Sequence, residues 1–81
     1  MAYEIEFHPK AYKFLQQLQQ RDQLRIAGAI EVLRYNPRPP TATLLKGGSR
    51  LWRIRSGDYR VIYAIEDGRL SIAALIGCRN D

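Results

Sequence analysis

Hydrophobic positions along the chain follow two different periods, and the period changes near the middle of the sequence. Apolar residues alternate with glutamates over residues 2–7, which predicts a first strand. Helical spacing then predicts a first helix over residues 9–19 and a second helix from an Asp22 cap to Asn36-Pro37. Gly28 interrupts the second helix, which predicts that the two helices pack closely there.

The second half of the chain reads as sheet. Residues 37–49 are rich in proline and glycine and predict a loop. Period-two alternation then predicts strands over residues 50–56, 59–66 and 69–77, joined by two-residue turns at Gly57-Asp58 and Asp67-Gly68. The order β-α-α-β-β-β predicts an α+β fold. We expect a single small domain over residues 1–81, with a mainly antiparallel four-stranded sheet and two helices packed on one face.

The two turns predict which side chains share a face of the sheet. With Gly57-Asp58 as the loop, Arg55 lies opposite Arg60, and Arg53 falls on the same face. The opposite face is the predicted core side. It collects Trp52, Ile54, Val61 and Tyr63. Counting through the second turn pairs Val61 with Ala74, assigns Leu75 to the arginine face, and carries the same parity on to Arg79.

The net charge of +5 is concentrated in one segment. Residues 1–37 sum to +1 and residues 61–81 to −1, whereas residues 38–60 carry six basic side chains against one acidic side chain, Asp58. A concentrated basic patch favours a polyanionic partner such as nucleic acid or an acidic protein segment.

Two interpretations of the arginine face compete. The ordinary one is a solvated sheet face on which charges keep the open side soluble. The other is an anion site, because like charges directly opposite one another destabilise a sheet and arginine's planar fork suits phosphate. Register favours the anion site. Placement of the arginines on one face depends on the two predicted turns, since a slip of one residue would move every side chain to the other face.

Other candidate chemistry in the sequence is weaker. His8 is the single histidine and has no cluster of metal ligands around it, so we expect no metal and no cofactor. Cys78 is the single cysteine, which excludes an internal disulfide and favours a reduced, cytoplasmic setting. Four cations of the helices are interpreted as ordinary solvated charges, with contact to a nucleic-acid backbone as the weaker alternative: Lys10, Lys13, Arg21 and Arg25.

Several segments together resemble the RelE/ParE family of toxins from type II toxin–antitoxin systems. They are "IEFHPKAYKFLQQL", "NPRPP", "LLKGGSRLWRIRSGDYRVIYAI" and "IGCR". The resemblance covers essentially the whole chain. It implies a metal-independent endoribonuclease of the RelE branch, which cuts mRNA on the ribosome and so blocks translation, and a cognate antitoxin as protein partner.

The resemblance also implies site residues. It assigns the catalytic site to Arg53, Arg55, Arg60 and Arg79, with Arg60 at the transition-state phosphate. RNA binding is expected from Lys46, Arg50, Arg53 and Arg55.

The chain departs from the family pattern at its end. Related toxins often carry a His where Cys78 stands and a Tyr shortly after the position of Arg79, and this sequence has neither, so no general acid is evident. Two alternatives therefore stay open. One is a ParE-like inhibitor of DNA gyrase without catalysis, and the other is a degenerate toxin that only binds its antitoxin.

Overall fold

The computed structural model describes residues 2–47 and 50–77. Within these ranges the chain forms two helices and five strands. In chain order they are β1 (Glu4–Phe7), α1 (Pro9–Gln16), α2 (Gln20–Tyr35), β2 (Thr43–Leu44), β3 (Leu51–Ser56), β4 (Tyr59–Glu66) and β5 (Arg69–Gly77). The strands form one mixed sheet in the order β1-β5-β4-β3-β2, in which β1 runs parallel to β5 and the other neighbours are antiparallel. The predicted α+β class is confirmed.

The prediction of four strands missed one short edge strand. β2 lies inside the segment predicted to be a loop, where Thr43 pairs with Arg53 and Leu44 pairs with Trp52. The amide of Leu45 also donates to the carbonyl of Leu51 at 2.8 Å. Two residues are too few to show an alternating pattern, so this strand depends on its pairing with β3 rather than on a local signal.

The helix boundaries differ from the predicted ones at the junction between α1 and α2. α1 ends at Gln16 and α2 begins at Gln20, after an N-cap residue, Gln19, whose side chain makes no capping hydrogen bond. Asp22 lies in the first turn of α2 and accepts a hydrogen bond from the hydroxyl of Tyr59 at 3.1 Å. The acidic side chain thus ties the helix to the sheet instead of capping it.

The expected close packing at Gly28 is wrong. A Cβ built on this glycine would meet no heavy atom within 4 Å, and the residue is exposed. Gly28 therefore lies on the solvent side of α2. The buried side of the same helix presents Ile26, Ile30 and Leu33 to the sheet.

The core lies between the two helices and one face of the sheet. Its sheet side is built from Ile54, Val61, Tyr63, Leu70, Ile72 and Leu75. Tyr63 is fully buried, and its hydroxyl donates to the carbonyl of Pro37 at 2.7 Å. This bond holds the start of the loop after α2 against the middle of β4. No helix in the described part of the chain is long and apolar enough to cross a membrane.

The first hairpin has the predicted register throughout. Arg55 pairs with Arg60, Ile54 with Val61, and Trp52 with Tyr63. Gly57 has a φ of +60°, a conformation that glycine adopts without the steric cost of a Cβ.

The second hairpin departs from the predicted register at a β-bulge. Ile65 pairs with Leu70 and Tyr63 with Ile72, as predicted, but Val61 pairs with Leu75 and not with Ala74. A register shift between Ile62 and Tyr63 leaves one extra residue in β5. The shift places a leucine, only 6% exposed, in the core where an alanine was expected, and the larger side chain removes more apolar surface from water.

Removing the hydrogen bond of Tyr63 tests whether it holds the loop after α2. Tyr63→Phe removes the donor and leaves the Pro37 carbonyl without it, so we expect the free energy of unfolding to fall by about 1 kcal/mol. Urea denaturation at neutral pH measures the loss. Tyr35→Phe is the matched control, because Tyr35 is 69% exposed and its variant should unfold like the wild type.

The raised pKa of Tyr63 predicts that the protein loses stability at alkaline pH, and the same two variants test this prediction. Burial raises the pKa of Tyr63 from 10.0 to about 12, against a smaller opposing effect of the Arg38 charge. The folded protein therefore keeps a proton that the unfolded chain releases, and this contribution is complete below pH 10 and is lost as pH rises towards 12. Over this pH range the free energy of unfolding should fall more steeply for the wild type and for Tyr35→Phe than for Tyr63→Phe. Parallel pH profiles would contradict the assignment.

Candidate nucleic-acid interface

The sheet face that points away from the helices, here called the outer face, is divided by charge. Pairing places Arg53 opposite Ile62, and Arg55 opposite Arg60, at the end near the Gly57 turn. We call these three arginines the basic end. The far end of the outer face carries Glu4, Glu6 and Glu66, with Arg69 among them. The register predicted for the three arginines is confirmed, and the structure brings them together.

The two ends differ in how their charges are paired. Arg69 lies 3.5 Å from Glu6, so the cation at the far end has a carboxylate partner. Within residues 2–47 and 50–77 no carboxylate lies within 4 Å of the guanidinium nitrogens of Arg53, Arg55 or Arg60. Side chains directly opposite on a sheet have Cβ atoms roughly 5 Å apart, so Arg55 and Arg60 repel one another across the strands. An anion between them would relieve that repulsion.

One of the three arginines is anchored to the turn. The Nε of Arg55 donates to the carbonyl of Gly57 at 3.1 Å, which leaves its terminal nitrogens available. Arg55 and Arg60 are both exposed, whereas Arg53 is half-buried. Ile62 lies in the same row as Arg53 and is only 7% exposed, although no helix covers this face. The basic end therefore presents the Arg55 and Arg60 side chains to solvent, beside an isoleucine that is almost fully covered.

Arg79 and Cys78 lie outside the described residues. The parity count that led to Arg79 does not hold, because the bulge in β5 moves Leu75 from the outer face to the core face. Assignment of Arg79 to the site thus depends on the family resemblance alone.

Lys46 and Arg50 lie at a different place from the three arginines. They line a cleft of about 500 Å³ together with Arg38 and Trp52. Its remaining lining residues are Leu44, Leu45, Gly47 and Ile65. Trp52 pairs with Tyr63 and so points to the helix side of the sheet, opposite in direction to Arg53. The Arg38 guanidinium lies 5.6 Å from the centre of the Trp52 ring and covers it.

A metal-based site has no support in the described ranges. Across residues 2–47 and 50–77 no three His, Cys, Asp or Glu side chains are grouped so that they could hold a metal ion. His8 instead serves α1, since its Nδ1 accepts from the amide of Lys10 at 3.3 Å as the helix N-cap.

Sequence reasoning missed the tertiary contacts of two further arginines. Arg38 was counted only within the basic segment, and its position over Trp52 follows from the loop that Tyr63 holds. Arg25, interpreted as a solvated helix charge, lies against Gly57 in the β3–β4 turn. No local pattern could identify either contact, because each joins parts of the chain that are distant in sequence.

The repulsion across the hairpin predicts a gain in stability when it is removed. Arg60→Gln should raise the free energy of unfolding by about 0.5 kcal/mol at low salt. Added sodium chloride should stabilise the wild type more than this variant, because salt screens the same repulsion. Urea denaturation at two salt concentrations measures both effects. Arg69→Gln is the control and should show no gain, since Arg69 is paired with Glu6; a less stable Arg60→Gln at low salt would contradict the idea.

Comparisons with known proteins identify the family and the fold. Residues 5–81 match the family model described as "ParE toxin of type II toxin-antitoxin system, parDE". The archaeal RelE-RelB complex from Pyrococcus horikoshii OT3 contains a chain with 31% identity and a TM-score of 0.85, with all of both chains covered. A search of curated proteins finds no match.

More distant solved structures share the fold. The isolated E. coli RelE toxin is 18% identical with a TM-score of 0.86, and the match covers 99% of this chain and 88% of that one. The chain matched in the YoeB-YefM complex from Staphylococcus aureus is 21% identical with a TM-score of 0.74, covering 94% of this chain and 97% of that one. The family model spans nearly the whole sequence and the archaeal RelE chain aligns over its full length, so this chain belongs to the RelE/ParE family of type II toxin–antitoxin toxins.

Proposed function

We propose that this toxin is a cytoplasmic, ribosome-dependent endoribonuclease that blocks translation by cutting mRNA. The observation that carries the proposal is the basic end, where Arg53, Arg55 and Arg60 converge on one exposed surface without carboxylate partners in the described part of the chain. Similarity to RelE and YoeB toxins supports it. A charged surface of this kind suits a phosphodiester better than a neutral ligand.

In the reaction, the phosphate would be transferred from the 5′-oxygen of the next nucleotide to the 2′-oxygen of the ribose that carries it on its 3′-oxygen. The 2′-oxygen forms a bond to phosphorus while the bond from phosphorus to the 5′-oxygen breaks. The products are a 2′,3′-cyclic phosphate and a 5′-hydroxyl, with the 2′-proton passing to solvent and a proton from solvent reaching the leaving oxygen. Arg60 would stabilise the extra negative charge on the phosphate oxygens in the transition state.

The other arginines would bind rather than transfer protons. Arg53 and Arg55 would hold the phosphates on either side of the cut, and Arg79 would join the site from outside the described residues. Arginine is a poor base, so the site supplies charge stabilisation and alignment. The ribosome holds the mRNA in place, and that positioning lowers the demand on the protein's own groups.

Lys46 and Arg50 would take a secondary part in RNA binding. Their cleft opens on the helix side of β3, so RNA reaching it would have to pass around the β2 edge of the sheet. We therefore assign them to backbone contacts away from the cut. Such contacts add affinity but carry no sequence information.

An antitoxin would be the natural protein partner of this chain. The similar chains from P. horikoshii and S. aureus were solved in complexes with RelB and YefM. A segment with acidic side chains would neutralise the arginines of the basic end and so block the access of RNA to them. This links inhibition to the same surface as catalysis.

A ParE-like gyrase inhibitor is the second candidate, and the match to the ParE family model favours it. It predicts that the purified protein blocks DNA supercoiling by gyrase in vitro while translation continues. Blocked supercoiling with intact transcripts would replace the nuclease proposal. Growth that continues during unrepressed expression would instead favour a degenerate toxin that only binds its antitoxin.

Primer extension on a cellular transcript tests the nuclease directly. Expression of the wild type should produce cuts phased with the codons, and Arg60→Ala should reduce their yield on the order of 10²-fold, because it removes the group that stabilises the transition state. Arg69→Ala is the control: it removes an arginine from the same outer face but at the far end. Its cutting should match the wild type. Intact transcripts during growth arrest would refute the proposal.

A further inference from the structure

The tip of the β3–β4 hairpin receives an arginine from each side of the sheet. Arg55 approaches from β3 and donates from Nε to the carbonyl of Gly57 at 3.1 Å. Arg25 approaches from α2 on the helix side. A Cβ placed on Gly57 would lie 2.5 Å from Nη1 of Arg25 and 3.0 Å from its Cδ. Two guanidinium groups therefore contact one turn residue.

Glycine makes this arrangement possible. A Cβ at position 57 would displace the flexible Arg25 side chain from the turn, in addition to the strain of a positive φ. The backbone of Arg25 is also held close to β3, because the Oγ of Ser56 donates to the Arg25 carbonyl oxygen at 3.5 Å. Arg25 is thus placed over the turn by its helix and by the end of the strand.

Neither arginine at the tip forms an ion pair with a carboxylate of the described residues. Asp22, one helical turn before Arg25, accepts from the hydroxyl of Tyr59 at 3.1 Å. Across the described ranges no carboxylate lies within 4 Å of the guanidinium nitrogens of Arg25 or Arg55. Asp58 belongs to the same exposed turn and is the one acid next to Gly57 in the chain. Two cations at one turn leave an excess of positive charge there.

We propose that Arg25 and Arg55 together bind a second phosphate of single-stranded RNA at the Gly57 turn, next to the one held by Arg60. This inference rests on the proposed function and extends it. It makes Arg25 an RNA-binding residue supplied by the helix layer and carries the RNA over the hairpin tip from the outer face towards α2. Arginine suits the task because its fork can donate two hydrogen bonds to one phosphate.

Fluorescence anisotropy with a labelled 12-nucleotide RNA carrying 2′-O-methyl groups, which cannot be cut at the 2′-oxygen, tests the proposal. Arg25→Met keeps the unbranched stem over Gly57 but removes the charge, and it should weaken binding about tenfold at low salt. It should also reduce the slope of log K against log salt by about 0.7. Arg25→Lys keeps the charge and should recover much of both effects.

Two further variants separate the local charge from the general one. Arg21→Met removes an exposed cation from the first turn of the same helix, and it should change affinity less than twofold. Asp58→Asn removes the opposing carboxylate and should strengthen binding. Thermal unfolding of each variant checks that the fold is retained, and a DNA strand of equal length shows whether the site requires a ribose or only a phosphodiester.

The outcomes distinguish this inference from the proposed function. Equal effects of Arg25→Met and Arg21→Met, with binding still weakened by Arg60→Ala, would overturn the role of Arg25 and leave the nuclease proposal standing. A wild-type protein that binds no free RNA would overturn the second phosphate site only, because the proposed nuclease acts on mRNA held by the ribosome and is tested separately by primer extension. Loss of binding in Arg25→Met, with recovery in Arg25→Lys, would establish the second phosphate site.

Discussion

The pairing of β3 with β4 across the Gly57-Asp58 turn determines both the core and the candidate site. Side chains alternate between the faces of a strand, so one two-residue turn decides that Ile54 and Val61 meet the helices while Arg55 and Arg60 face away. A slip of one residue would bury the guanidinium groups and expose the core. The sheet thus retains the repulsion between Arg55 and Arg60 because the same register fills the core.

Much of this arrangement follows from the sequence, because a two-residue turn permits the residue pairs to be counted outwards. That count was correct for the first hairpin and failed in the second, after Ile72. The core positions Ile72 and Leu75 lie three positions apart instead of two, and this spacing is the local sign of the bulge. The two alanines between them fit either face, so alternation alone could not locate it.

Other features could not be predicted because they depend on contacts between distant parts of the chain. β2 forms because it pairs with β3. Asp22 was assigned to a helix cap from its residue type, and its actual partner, Tyr59, is too distant in sequence to be recognised. Arg25 is exposed, as expected of a solvated helix charge, but helix periodicity says nothing about the glycine turn that lies against it. Arg79 was reached by a parity count that the bulge invalidates, and only the family resemblance supports it.

Charge is distributed along the outer face in a way that would orient a polyanion. The end formed by β1 and the β4–β5 turn carries Glu4, Glu6 and Glu66, while the opposite end carries arginines that form no ion pair within the described residues. A nucleic acid, if it is the ligand we propose, would be attracted to one end and repelled by the other, and its direction of approach would be selected before contact. The Lys46 and Arg50 cleft lies on the other side of the sheet and is a separate surface.

The central claim is that RNA binds to the arginine end of the outer face. An NMR titration of the labelled protein with the 2′-O-methyl RNA tests it most directly, by following the Nε resonances of the arginines and the indole of Trp52. If RNA binds there, the resonances of Arg53, Arg55 and Arg60 should shift together and saturate at one RNA concentration, while the resonance of Arg69 should not shift. Shifts confined to Trp52 and Arg50, or no shift at the three arginines, would contradict it.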